Sequence, residues 1–279
     1  MPTTPFFHAF LLTLLAGLAT GAGSFIALVS KRTTPRFLSL SLGFSAGVMI
    51  FVSLVELFGQ ARAQLALVWG ERGGYWGAIG GFFAGMALIA VIDRLVPPAV
   101  NPHESRSREA AAYEASDLHA CAETADPRRG ARLLRTGVLT ALVVGLHNLP
   151  EGIATLFASL QDRNLGITIA LAIAIHNIPE GIAVSVPVYY ATGSRKRAFW
   201  YSFASGLSEP AGAVLGYFLL RPLLGGPTFG LVLASVAGIM IYISLDELLP
   251  SAREFGESHL AMLGLAAGMA VMAISLALG

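Results

Sequence analysis

A polar hexapeptide occurs twice within the long apolar stretches of this chain, as His-Asn-Leu-Pro-Glu-Gly at 147–152 and as His-Asn-Ile-Pro-Glu-Gly at 176–181. Imidazole and carboxylate groups are costly to bury in hydrocarbon, so ionisable residues inside a membrane segment indicate a functional site. Histidine and glutamate together are also ligands for a borderline divalent cation such as zinc. The duplication therefore predicts a metal site on two helices that face each other within a bilayer.

The composition favours lipid as the solvent for much of the chain. Of its 279 residues, 55% are hydrophobic and 13% are charged, whereas soluble domains carry about 25% charged residues. A net charge of +1 offers no basic surface for nucleic acid. With Cys121 as the only cysteine, the chain forms no internal disulfide bond.

Eight apolar stretches, each about 20 residues long and so able to cross a bilayer, predict an all-α integral membrane protein. We expect the spans at 6–29, 38–59, 75–95, 136–159, 165–190, 198–220, 228–249 and 259–278. Barrel strands are disfavoured because they are shorter and alternate apolar with polar residues. The first stretch is interpreted as a retained span rather than a cleaved signal peptide, because no positive residue precedes it and Lys31 and Arg32 follow it.

The distribution of positive charge predicts the orientation of the spans. Most of the 18 Lys and Arg residues fall in the connections after spans 1, 3, 5 and 7, and positive residues stay in the cytoplasm. Both termini are therefore expected on the extracytoplasmic side of the cell inner membrane. The long polar connection at 97–134 is expected to be a flexible cytoplasmic loop, and residues 1–279 form a single transmembrane domain.

Segments in the two halves of the chain resemble each other. Residues 46–57 in span 2 match residues 237–248 in span 7, and residues 84–87 in span 3 match residues 267–270 in span 8 more loosely. Partners lie an odd number of spans apart, which predicts a 3+2+3 inverted repeat with a site near the midplane. Convergent small-apolar composition is the alternative; it accounts for spans 3 and 8 easily but for spans 2 and 7 poorly.

The spacing within the doubled motif indicates how the metal ligands are arranged. Residues three or four apart share a helix face, so each motif can direct one imidazole, one amide and one carboxylate at the partner helix. These six side chains are His147, Asn148, Glu151, His176, Asn177 and Glu180. Because six donors exceed the four of a typical zinc site, two adjacent ions that share Glu151 and Glu180 are compatible with the motif.

Further polar groups in other spans extend the list of candidates. Glu209 in span 6 is next to a proline, which follows it; each motif glutamate is also next to a proline, which precedes it. Lower-ranked candidates for a transport pathway are Met49, Glu56, Asp246 and Glu247. Core packing is the competing interpretation for the methionine, and an interfacial charge is the competing interpretation for the three acidic residues.

Three further runs, at 41–49, 205–210 and 243–250, together with the doubled motif, are similar to segments of a known transporter family. The chain resembles the ZIP (Zrt/Irt-like) divalent metal transporters, in particular their bacterial ZupT-like branch. The resemblance covers all eight expected spans and implies a carrier of zinc into the cytosol, with iron, manganese, cobalt and cadmium as further substrates. It also implies that a transport bundle of spans 1, 4, 5 and 6 slides against a scaffold of spans 2, 3, 7 and 8.

The resemblance further implies a binuclear centre. The first ion would be bound by His147, Glu151, His176 and Glu180. The second ion would be bound by Asn148, Glu151, Asn177, Glu180 and Glu209. Divalent ions and the lipid bilayer are the partners this implies; no resident cofactor is expected, and a homodimer stays open.

Two other classes of protein compete with a transporter. A membrane-embedded dinuclear metalloenzyme would need an open coordination position and a nucleophile or oxidant path, and no motif supplies one. The zinc-protease pattern His-Glu-x-x-His is absent from the sequence, and the order His-x-x-x-Glu is the reverse of the di-iron motif. A metal sensor would need a soluble output domain, for which no segment is long and apolar enough.

Overall fold

The computed structural model describes residues 3–29, 35–95, 127–220, 227–254 and 258–278, and every regular element in these ranges is a helix. The α-helices are α1 (Thr3–Val29), α2 (Pro35–Phe51), α3 (Phe58–Leu95), α4 (Pro127–Gln161), α5 (Arg163–Thr192), α6 (Arg195–Gly206), α7 (Ser208–Leu220), α8 (Thr228–Ile243), α9 (Leu249–Glu254) and α10 (Ser258–Leu278). Two π-helical segments, Val52–Leu57 and Ser244–Leu248, continue α2 and α8. The expected all-helical class is confirmed.

Five stretches of the described chain are long and apolar enough to cross a membrane: Pro5–Val29, Arg36–Arg94, Arg163–Thr192, Thr228–Arg253 and Ser258–Ala277. The second has 59 residues, which as one straight helix would reach about 90 Å, three times the thickness of the bilayer core. The number of spans, eight, stays a prediction.

The chain turns sharply within that long stretch, at Gly70. This glycine has φ 72° and ψ 168°, a conformation that residues with a Cβ rarely adopt. Beyond the turn, α3 runs back along itself, since a Cβ placed on Gly74 would lie 2.5 Å from the backbone nitrogen of Ala66. The turn therefore separates two antiparallel helices. It lies between the ranges expected for span 2 (38–59) and span 3 (75–95).

The start of one helix differs from the expectation. Helix α4 begins at Pro127 rather than near residue 136, so residues 127–134 are helical and not part of a loop; proline suits the first turn, where its missing N–H is not needed. The rest of the expected loop, 97–126, lies outside the described residues. Both motif prolines, Pro150 and Pro179, lie within continuous helices.

The helices pack in two groups. One contains α1, α4, α5, α6 and α7, and the other contains α2, α3, α8 and α10. The main contact between the groups is that of α2 with α5. The doubled motif lies on α4 and α5, so the first group carries it and the second flanks it.

Glycines let the helices of the second group approach to backbone contact. A Cβ on Gly47 of α2 would clash with the backbone of Leu265, and one on Gly268 of α10 would clash with that of Phe44. Such small residues allow close packing where the hydrophobic effect between helices is weak.

Helices α3 and α8 approach each other in the same way. Gly85 of α3 lies against the carbonyl of Ser235, and Gly238 of α8 lies against that of Phe82. Both helix pairs of the second group are thus held by reciprocal glycine contacts.

Replacement of Gly85 by alanine should destabilise the protein by roughly 1–3 kcal/mol, because the added methyl group forces two backbones apart. Gly80→Ala on the same helix is the matched control. Nothing lies within 4 Å of a Cβ at Gly80, so that change should raise stability by about 0.5–1 kcal/mol. Thermal unfolding in detergent distinguishes the two, and equal melting temperatures would contradict the packing argument.

Candidate metal centre

The two motif helices are clamped between α1 and α7 by the last residue of each motif. A Cβ on Gly152 of α4 would clash with the backbone of Glu209 in α7, and one on Gly181 of α5 would clash with that of Thr20 in α1. A glycine at this position therefore sets how closely each motif lies to its outer neighbour. The motif pattern thus carries a packing requirement as well as ligands.

The histidines and glutamates of the two motifs pair across the helix interface. His147 Nε2 lies 3.0 Å from Glu180 Oε1, and His176 Nε2 lies 3.2 and 3.3 Å from the two carboxylate oxygens of Glu151. Each motif thus supplies the histidine of one pair and the glutamate of the other. The two pairs lie at the interface of α4 and α5 and contain four of the candidate ligands.

The motif amides bind the neighbouring helices. Asn177 Nδ2 donates to the carbonyl oxygen of Ala16 at 2.9 Å and to Glu209 Oε1 at 3.2 Å. Asn148 Nδ2 donates to the carbonyl oxygen of Ser205 at 3.2 Å. Glu209, the candidate from span 6, is therefore brought to the motif by Asn177.

All seven candidate metal ligands, six from the motifs and Glu209, are buried. The relative exposure of Glu151, Glu180 and Glu209 is 0%. Among the described residues, several site atoms have no hydrogen-bond partner: Nδ1 of His147 and His176, Oδ1 of Asn148 and Asn177, and Oε2 of Glu180 and Glu209. Buried polar atoms without partners are costly, and this set includes amide and carboxylate oxygens that suit a divalent cation.

The side chains are paired rather than gathered around a common point. Within the described ranges, no group of three or more His, Cys, Asp or Glu side chains has the geometry to hold a metal ion. A cation between α4 and α5 would therefore have to replace the His147–Glu180 and His176–Glu151 hydrogen bonds.

The lower-ranked candidates fall in different environments. Met49 is fully buried within the largest apolar cluster, where packing accounts for it. Glu247 is buried in the second π-helical segment, close enough to His147 for their charges to interact. Asp246, beside it, is half-buried.

Glu56 lies at a cavity of about 490 Å³, which opens at the end of α5 that begins with Arg163. The other polar residues that line the cavity include Gln60, Gln64 and Asp162. Gln60 Nε2 donates to Glu56 Oε1 at 3.3 Å. The structure does not bring Glu56 into contact with the motif residues.

Hydroxyl groups that the sequence did not single out also contact the site. Ser45 of α2 donates to the carbonyl oxygen of His176 at 3.3 Å, and this bond joins the two helix groups at the motif. Ser202 of α6 donates to the carbonyls of Thr20 and Gly181. The only sequence signal for these contacts is that polar residues recur inside apolar spans.

Comparison with known proteins gives one consistent result. The profile of the family described as ZIP Zinc transporter matches residues 7–276. The chain is 55% identical to the Zinc transporter ZupT of Clostridium perfringens, over 97% of this chain and 95% of that protein. It is 58% identical to that of Nitratidesulfovibrio vulgaris, over 97% and 96% of the two chains, and 51% identical to that of Streptococcus mutans, over 98% and 97%.

Replacement of Glu209 by glutamine should stabilise the metal-free protein and weaken its response to metal. The Glu209 carboxylate is buried and repelled by Glu151 and Glu180, and a buried charge of this kind costs several kcal/mol. We therefore expect a higher melting temperature without metal and a smaller rise on addition of Zn²⁺, since at a fixed zinc concentration a more weakly bound ion stabilises the folded protein less.

Glu71→Gln is the control for that substitution. Glu71 forms an ion pair with Arg62, and 82% of its side chain is exposed. The change should therefore alter the stability by no more than about 0.5 kcal/mol, and the melting temperature should stay the same with and without metal. A lower melting temperature for metal-free Glu209→Gln would mean that the carboxylate stabilises the protein without an ion.

Proposed function

Because the chain belongs to the ZIP zinc transporter family, we propose that it carries zinc into the cytosol through the paired His/Asn/Glu site between α4 and α5. Family membership makes it a divalent metal transporter of the inner membrane, with several apolar helices, and not an enzyme. The metalloenzyme alternative is therefore wrong. Zinc as the substrate, the direction and the ligands are the parts that we propose.

The crossed His–Glu pairs are the observation that carries the proposal. Each pair joins an imidazole of one motif to a carboxylate of the other, at 3.0 and 3.2 Å, in a volume from which water is excluded. Imidazole with carboxylate, and without thiolate, suits zinc and also iron, manganese, cobalt and cadmium. We therefore propose zinc as the first substrate and these metals as further ones.

We propose two adjacent ions. The first is bound by the crossed pairs: His147, Glu151, His176 and Glu180. The second is bound by the amides together with three carboxylates: Asn148, Asn177, Glu151, Glu180 and Glu209. The partnerless oxygens of both amides and of Glu209 support a second ion, because these atoms need a cation or a donor in a buried setting.

The strength of binding at this site has to be limited, since a transported ion must also leave. The two imidazoles provide that limit, because each glutamate of a crossed pair can return to its histidine when the ion departs. The alternative partner lowers the cost of exposing a bare carboxylate to the low-dielectric interior. We propose that Glu247, which is buried and interacts electrostatically with His147, receives an ion from the first position.

We also propose the eight-span, 3+2+3 inverted repeat with both termini outside. Equivalent contacts in the two halves support it: Gly47 against Leu265 corresponds to Gly238 against Phe82, and Gly268 against Phe44 corresponds to Gly85 against Ser235. The correspondence follows the alignment of span 2 with span 7 and of span 3 with span 8. Convergent composition alone does not produce matched partners.

The two helix groups fit the sliding mechanism. The motif helices belong with α1, α6 and α7, and the other group contains α2, α3, α8 and α10. We propose that the first group moves as a body and carries the ions past the second, which stays fixed. The contacts of α2 with α5 would then be exchanged during each cycle.

Uptake of ⁶⁵Zn into proteoliposomes tests the function. Glu151→Ala or Glu180→Ala should abolish net uptake, because each carboxylate is proposed to bridge both ions. Glu71→Ala, which removes an exposed carboxylate, should leave uptake unchanged. Wild-type uptake by a correctly inserted Glu180→Ala protein would overturn the bridging role, and absence of uptake by the unmodified protein would overturn the proposed function.

Cysteine labelling in intact cells tests the proposed orientation. In a Cys121→Ser background, a cysteine in place of Arg163 should react with a membrane-impermeant maleimide, because this residue begins α5, at its junction with α4, which we place outside. A cysteine in place of Lys196 should react only after permeabilisation. Both native residues are exposed, so burial does not explain a difference, and the opposite pattern would mean an inverted topology.

A further inference from the structure

Thr20 is a buried residue of α1 whose hydroxyl has no partner among the described residues. Other helical threonines behave differently: Thr13, Thr155 and Thr192 each donate to the carbonyl oxygen four residues earlier, at 2.7–3.0 Å. That local bond is the default for threonine inside a helix. The Thr20 hydroxyl is turned away from it, although its residue is 0% exposed.

The hydroxyl lies at the place where α1 crosses the start of α7. Gly17 of α1 and Gly206, the last residue of α6, face each other there, each against the other's carbonyl oxygen. A Cβ on Gly206 would lie 3.0 Å from Thr20 Oγ1, and a Cβ on Gly17 would lie 3.0 Å from Glu209 Oε2. The two partnerless oxygens thus flank one helix crossing from opposite sides.

Thr20 and Glu209 are also matched in their relation to the motif amides. Asn177 donates to the carbonyl of Ala16, the residue before Gly17, and Asn148 donates to the carbonyl of Ser205, the residue before Gly206. In each case the third residue after the glycine carries a polar side chain, Thr20 in α1 and Glu209 in α7. Thr20 and Glu209 are therefore matched in position: each lies three residues after a glycine of this crossing, and the carbonyl just before that glycine accepts from a motif amide.

We propose that the Thr20 hydroxyl is a further metal ligand or metal-positioning group of the second ion site, as the neutral counterpart of Glu209 on the side of Asn148. This inference rests on the proposed function. A hydroxyl oxygen is a weaker donor to a divalent cation than a carboxylate, so this side of the site holds the ion less firmly. The asymmetry gives the second ion a preferred side from which to leave.

Calorimetric titration of the detergent-purified protein with Zn²⁺ tests the assignment without any transport assay. Thr20→Val keeps the shape of the side chain and removes the hydroxyl, so the weaker of two binding steps should lose about tenfold in affinity. The tighter step should change by less than about twofold. Thr20→Ser keeps the hydroxyl and should bind as the unmodified protein does.

Thr13→Val is the matched control. Thr13 is equally buried in the same helix, but its hydroxyl is already bonded to Ala9, so zinc affinity should not change. If Thr20→Val does not fold, Thr20→Ala against Thr20→Ser gives the same comparison, because only the second retains the hydroxyl. Equal zinc affinities for the members of that pair, or for Thr20→Val and the unmodified protein, would overturn the proposal.

The two levels of the argument fail separately. If Thr20→Val binds zinc normally while Glu180→Ala does not bind it, the Thr20 assignment is wrong and the paired site stands. If the unmodified protein binds no zinc in the titration, the site itself is wrong. A loss of both binding steps in Thr20→Val with an unchanged melting temperature would assign Thr20 to the shared centre rather than to the second ion, and would also overturn the proposal.

Discussion

The crossed pairing of two imidazoles and two carboxylates between α4 and α5 is the interaction on which the rest of the molecule depends. Four ionisable side chains occupy an interior where His147 is 2% exposed and the other three are at 0%. Isolated charges at that depth would cost far more than a marginally stable protein can offset. The pairing offsets part of that cost and leaves carboxylate and amide oxygens without a partner among the described residues.

Backbone proximity is what makes the pairing possible. The glycine that ends each motif lies against a helix on the outer side of the bundle, Gly152 against α7 and Gly181 against α1. A larger residue would move α4 or α5 outward, and a shift of about 1 Å is enough to disturb a ligand constellation. The motif is therefore a unit in which the polar residues provide the chemistry and the glycine provides the spacing.

The sequence predicted which side chains meet between α4 and α5 better than it predicted how they pair. The three- and four-residue spacing places His147 and Glu151 on one face of a helix, whichever helix lies opposite. Which imidazole meets which carboxylate depends on the relative shift of α4 and α5 along their axes, and no local pattern records that shift. The bonds from Asn148 and Asn177 to main-chain carbonyls were also invisible, because any residue supplies a carbonyl.

Helix boundaries and irregularities were predicted less well for similar reasons. The reversal at Gly70 needs one residue with positive φ, and the flanking sequence is rich in glycine, so the position was not distinctive. The π-helical segments, 52–57 and 244–248, differ from an α-helix by a single inserted residue. They fall in the two segments that the sequence comparison had matched, yet nothing in their composition separates them from regular helix.

The two π-helical segments differ in their surroundings. Under the proposed repeat, Glu56 and Glu247 are equivalent residues, but Glu56 lines an open cavity while Glu247 is buried within electrostatic reach of His147. In a carrier built from inverted repeats, exchange of those two environments amounts to a change of the side from which the site is reached. Under the proposed repeat, the unequal surroundings of Glu56 and Glu247 are the kind of asymmetry that alternating access uses.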